Sequence, residues 1–142
     1  MKLQPDKSDV QSVSAYGPGW VAIDGERFTH SIVVSSGGDR FDWQCRSFDE
    51  LGEAHFARIA TLDAELVLFG SGERIRFPRP AWLAGLHARR IGVETMDTRA
   101  ACRTYNILAG EGRKVVAAFL IEDLEKLAPL LSGSSSAGAS CS

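Results

Sequence analysis

The stretch ETMDTRAACRTYNILAGEGRKVVAAFLI, residues 94–121, switches its hydrophobic period twice. Its first residues complete GVETM at 92–96, a short run that reads as a strand. From Thr98 onward Ala101, Tyr105 and Leu108 recur at helical spacing, and Asp97 or Thr98 is placed to cap the first turn. The glycines of GEG at 110–112 end that helix, predicted over about 98–109. KVVAAFLI at 114–121 is apolar without alternation, the pattern of a strand covered on both faces. A strand, a helix and a buried strand in that order predict a right-handed parallel crossover.

Working outward, AELVLFG at 64–70 is another strand rich in branched residues, closed by Gly70 and Gly72. Pro80 suits the first turn of a helix through about Arg89. Ser47 and Glu50 in SFDE match a capping box and predict a helix over about 48–60, with Phe48, Leu51, His55, Ile59 and Leu62 on one face. A closing helix over 122–131 opens with Glu122 and Asp123 and turns Leu124, Leu127 and Leu131 inward. The N-terminal part differs: turn chemistry at 17–19, 24–25 and 36–39 separates short strands near 12–16, 19–23, 26–35 and 40–44. The expected fold is α/β (α+β mixed). It has a central mixed sheet with a parallel β-α-β-α-β C-terminal part, helices packed on it, and an additional antiparallel N-terminal β layer.

The chain has 142 residues, 44% hydrophobic and 24% charged, enough for one core and too few for two comfortable domains. Residues 11–131 are expected to form the single domain, between a disordered N-terminus at 1–10 and a disordered Ser/Gly-rich tail at 132–142. The longest apolar run, Val115 to Ile121, is far short of the about 20 residues that cross a membrane. With no secretory or transit pattern at residues 1–12, the expected location is cytoplasmic. Cys45, Cys102 and Cys141 lie far apart, without CxxC or Cys/His ligand spacing, so free thiols and no metal are expected. The formal charge of -2 gives no global basic field, yet residues 72–103 hold seven arginines against three acidic residues.

In open α/β sheets, ligands sit at the carboxyl ends of the parallel strands. Those ends here bring Gly70, Ser71 and Gly72 toward Asp97 and Thr98, where a helix start presents unpaired amides. Arg99 and Arg103 are four apart on one helix face with Asn106 beyond them, and an arginine fork suits carboxylate or phosphate. These eight residues define a candidate anion or partner cleft; the competing reading makes the arginines a solvated helix face. GSGERI has Ile75 where the dinucleotide fingerprint needs its third glycine, and it lacks the Gly-Lys-Ser/Thr ending of a P-loop. No cofactor is therefore expected. Cys102 near a helix start invites comparison with an activated thiol, but beside Ala101 on the inward side it reads as a small hydrophobe. His55 reads as a hydrogen-bonded core histidine, and no catalytic residue is assigned.

LVLFGSGERIRFP followed by GVETMDTRAACRTYNILAGEGRKVVAAFLI resembles a widespread family of small α/β domains of unknown biochemical activity. Relatives of that family include mitochondrial complex I assembly factor three and an adipogenesis-associated protein. The resemblance spans about residues 11–131 and rests most on LFGSG, MDT and RTYNIL with the following EGR. It implies a mixed central sheet with helices and an additional β layer, and it carries no reaction. Its family-like positions, Gly70 to Gly72, Asp97, Thr98, Arg103, Tyr105 and Asn106, fall on the same cleft.

Two functions are expected to compete. One is a non-catalytic binding or assembly domain for a protein partner. The other is a site for a small phosphate- or carboxylate-bearing anion, enzymatic or not. Nucleic acid is not expected, because the arginines lack interleaved exposed aromatics for stacking, and no membrane partner is expected. The chain is expected as a monomer or as a homodimer through an open edge of the antiparallel half.

Overall fold

The computed structural model describes residues 10–122. Five short strands come first: β1 (Val13–Gly17), β2 (Trp20–Ile23), β3 (Glu26–Phe28), β4 (Ile32–Ser35) and β5 (Arg40–Asp42). A 3-10 turn at Phe48–Glu50 precedes helix α1 (Glu53–Ile59), and β6 (Leu66–Gly70) follows. A second 3-10 turn at Pro80–Leu83 runs into α2 (Ala84–Ala88), then β7 (Gly92–Met96), α3 (Thr98–Gly110) and β8 (Val115–Phe119). β1, β2 and β3 form a three-stranded antiparallel sheet. The other five strands form a mixed sheet in the order β5-β4-β8-β6-β7.

Within the larger sheet β6 pairs in parallel with both β7 and β8, while β4 pairs antiparallel with β8 and β5. This is the expected mixed sheet with a parallel C-terminal part and a separate antiparallel layer. β8 is central, and every residue from Val115 to Ile121 is buried. Alternation along it feeds two cores: Val116, Ala118 and Leu120 join Phe56, Ile59, Phe69 and Leu86 on one face, under α1 and α2. Val115, Ala117, Phe119 and Ile121 join Val21, Ile23, Cys102 and Tyr105 on the other, under α3 and the small sheet. Two covered faces explain why the run shows no polar alternation.

Several expected elements are corrected. The single strand over 26–35 is two strands in different sheets, β3 and β4, separated at Thr29 to Ser31. Buried Ser31 makes the transfer possible: its hydroxyl accepts from Ile121 N–H at 2.8 Å and donates to Ile121 O at 3.3 Å, in place of a strand partner. The strand expected to reach 44 stops at Asp42, and Trp43 N–H turns to Ser31 O.

The helix over 48–60 breaks at Leu51, whose ψ of 148° is extended and whose side chain enters the core. The expected capping box does not form. Glu50 Oε1 accepts instead from Arg46 N–H, and buried Ser47 Oγ has no hydrogen-bond partner among the described residues. Gly52 is the N-cap of helix α1, and its N–H donates to His55 Nδ1 at 3.2 Å, while His55 Nε2 donates to Gln44 O at 2.9 Å. His55 is thus hydrogen-bonded on both ring nitrogens, as expected, although only half-buried. The closing helix expected over 122–131 and both chain ends lie outside the described residues. Among the described residues, no helix is long and apolar enough to cross a membrane.

Candidate functional site

The ends of β6, β7 and β8 meet at one side chain, Thr98. Its hydroxyl accepts from Gly72 N–H at 2.8 Å and donates to Leu120 O at 3.0 Å, while its own N–H donates to Gly72 O at 2.9 Å. Ser71 N–H reaches Met96 O, and Leu120 N–H reaches Gly70 O, both at 2.9 Å. Asp97 caps α3 as expected, its Oδ1 accepting from Ala100 N–H at 2.8 Å. A Cβ on Gly70 would lie 3.0 Å from Ala101 Cβ and from Thr98 Cα, so the bare backbone lets α3 lie close against the strand. The structure therefore brings Gly70, Ser71, Gly72, Asp97 and Thr98 together. It also gives protein partners to the amides of Ser71, Gly72, Thr98 and Ala100, groups that an incoming anion would otherwise use.

The polar residues of α3 divide. Arg103 Nη1 donates to Tyr16 OH at 3.0 Å, a bond that raises its already high pKa. Asn106 Oδ1 accepts from Val13 N–H and its Nδ2 donates to Val13 O, both at 2.8 Å. Both residues thus tie the small sheet to α3. Arg99 is exposed, with no hydrogen bond or ion pair among the described residues, and lines a pocket with Tyr16, Trp20, Gly72, Glu73 and Thr98. Its volume is about 40 Å³. At about 10–15 Å³ per water, that is room for a few waters or one small anion and not for a nucleotide.

A polar wheel beside this pocket escaped the sequence reading. Ser71 Oγ donates to Arg74 O and accepts from Arg76 N–H, each at 2.8 Å. The Arg76 side chain returns to Ser71 O at 2.6 Å and pairs with Glu122 Oε1 at 2.8 Å, and Glu122 Oε2 accepts from Phe48 N–H. Gly72 is required here, since its φ is +104° and a Cβ would lie 2.5 Å from Arg76 Nη2. Beyond the wheel, Pro78 is buried, while Ile75 and Phe77 are 52% and 73% exposed. The aromatic missing from the arginine-rich segment is thus Phe77. The visible signal was RIRFPRP at 74–80, arginine alternating with apolar residues between a glycine turn and a proline.

Cys102 is fully buried, and that burial pushes its thiol up to about 12, the opposite of an activated nucleophile. Tyr105 is likewise buried, its hydroxyl donating to Gln11 O at 2.9 Å, and burial raises its pKa. Among the described residues, no group of three or more His, Cys, Asp or Glu side chains could hold a metal ion.

The fold recurs in other proteins. A crystal structure of a protein from Bordetella parapertussis is 37% identical and superimposes with a TM-score of 0.75, over 80% of this chain and 97% of that one. A solution structure from Bordetella pertussis, titled a Mth938-like domain, is 32% identical with a TM-score of 0.69, over 82% and 90% of the two chains. NADH dehydrogenase [ubiquinone] 1 alpha subcomplex assembly factor 3 of Homo sapiens is 28% identical over 127 residues, covering 83% of this chain. The chain spans 65% of that protein's length, less than two thirds of it. Residues 13–120 match the family described as Protein of unknown function (DUF498/DUF598), from the first residue of β1 to the residue after β8, and the chain belongs to that family.

Proposed function

We propose that this chain is a non-catalytic, assembly-type domain that holds a protein partner on the 73–79 loop. The observation that carries this reading is the exposure of Ile75 and Phe77 on a loop fixed at both ends, by the Ser71–Arg76 wheel and by buried Pro78. An apolar tip held rigid loses little entropy on docking, and large apolar side chains beside arginine are what interface centres are made of. The human relative is named as an assembly factor, which supports the same class of task here. The domain works in the cytoplasm, as a monomer or a homodimer.

The test is affinity capture with the native chain and with Ile75→Ser/Phe77→Ser. A specific protein held by the native chain and lost by the variant is the expected result. Equal recovery by both chains sinks the reading.

A second reading is favoured by one observation, Arg99 at the rim of the 40 Å³ pocket with no partner among the described residues. There a small carboxylate or phosphate meets the Arg99 guanidinium. Phosphate at 100 times its dissociation constant would stabilise the fold by about 2.7 kcal/mol. Thermal shifts with phosphate, sulfate and small carboxylates test it, and a rise that survives Arg99→Ala counts against this pocket.

A further inference from the structure

We infer that the partner segment seated on Ile75 and Phe77 is an acidic stretch of another protein, with carboxylates placed to meet Arg74 and Arg79. The inference rests on the docking reading above and specifies the chemistry of the occupant.

Three arginines punctuate the loop, and their situations differ. Arg76 is half-buried, and its charge is neutralised by Glu122 at 2.8 Å. Arg74 and Arg79 are exposed, and neither guanidinium has a hydrogen bond or ion pair among the described residues. These two charges, without a partner among the described residues, bracket the two exposed apolar side chains. They belong to the one strongly basic third of a chain whose net charge is -2. A partner that covers Ile75 and Phe77 brings its own groups against both guanidinium forks. A basic partner would be repelled there, a neutral one would leave both unpaired, and a carboxylate-bearing one would pair them in the fork geometry that arginine favours.

A polypeptide fits better than a nucleic acid. Phe77 is a single exposed aromatic and Ile75 cannot stack on bases, whereas nucleic-acid grooves use successive stacking platforms and many phosphate contacts.

The test places photoreactive benzoylphenylalanine at position 77 of the full chain in its native cell and maps the adduct to its residues. The expected adduct lies on another protein, within a few residues of Asp or Glu. Arg74→Glu/Arg79→Glu should cut its yield about tenfold, and Arg74→Lys/Arg79→Lys, which keeps the charge but loses the fork, by a smaller factor, with unchanged melting temperatures. A protein adduct indifferent to charge reversal overturns the acidic partner and leaves the docking reading standing. An adduct to lipid, nucleic acid, a second copy or residues 123–142 of the same chain overturns the inference, and so does the lack of any adduct. In that last case the docking reading falls with it.

Discussion

Asn106 satisfies the donor and the acceptor of one residue, Val13, with a single side-chain amide. Asn106→Ala leaves two partly buried backbone groups of β1 without partners, at a cost of about 1–3 kcal/mol. Asn106→Asp keeps the acceptor for Val13 N–H but turns a carboxylate toward Val13 O, so it should not restore stability. Both variants should melt several degrees below the native chain in scanning calorimetry. Cys102 gives a different signature. Its ordinary value is 9.0 and burial raises it to about 12, so both states are protonated below pH 9 and the thiol contributes nothing to the pH dependence there. Between those values the unfolded chain releases a proton that the folded chain keeps, and stability falls as pH rises. Denaturant midpoints from pH 8 to pH 11 should therefore fall less steeply for Cys102→Ala than for the native chain. Buried Tyr105, also shifted upward, contributes to the decline that remains above about pH 10.

At the scale of elements, α3 is held against β6 because Gly70 has no side chain. Gly70→Ala places a methyl 3.0 Å from Ala101 Cβ and Thr98 Cα, inside the contact distance that packed atoms accept. The helix must shift, at a cost of about 1–3 kcal/mol. Amide shifts along Thr98 to Cys102 in NMR spectra should report the movement, and spectra unchanged there would show that the close approach is not needed. This helix and its strands were legible in the sequence, because Asp97 caps locally and the apolar run after Lys114 admits only a doubly covered strand. The break between β3 and β4 was not, since it depends on Ser31 bonding to Ile121, ninety positions away in the chain. SFDE misled for the opposite reason, being a local signal that the burial of Leu51 overrides. The meeting of Gly70, Ser71, Gly72, Asp97 and Thr98 was legible through strand ends and glycines. The destinations of Arg103 and Asn106 were not, because the small sheet that receives them is joined to α3 only in three dimensions.

For the whole molecule, the contacts that hold the layers together and the surface proposed to hold a partner use different residues. Layer docking runs through Asn106, Arg103 and Tyr105 to β1 and the residues before it. The loop tip, Ile75 and Phe77, projects from an anchored base and gives up little burial when it is made polar. Surface substitutions of this kind usually lie within about 0.5 kcal/mol of neutral, whereas breaking a partly buried hydrogen-bonded clamp does not. Two variants should therefore separate two properties. Ile75→Ser/Phe77→Ser should melt within a degree or two of the native chain and lose the captured protein. Asn106→Ala should melt several degrees lower and, kept well below its transition, retain that protein. Parallel melting and capture measurements on both decide the matter. If the serine variant instead melts as low as the alanine one, the tip belongs to the core of the folded chain and cannot be a docking surface. If the alanine variant loses the partner while still folded, the docking surface includes the junction between the small sheet and α3, and the loop alone does not account for binding.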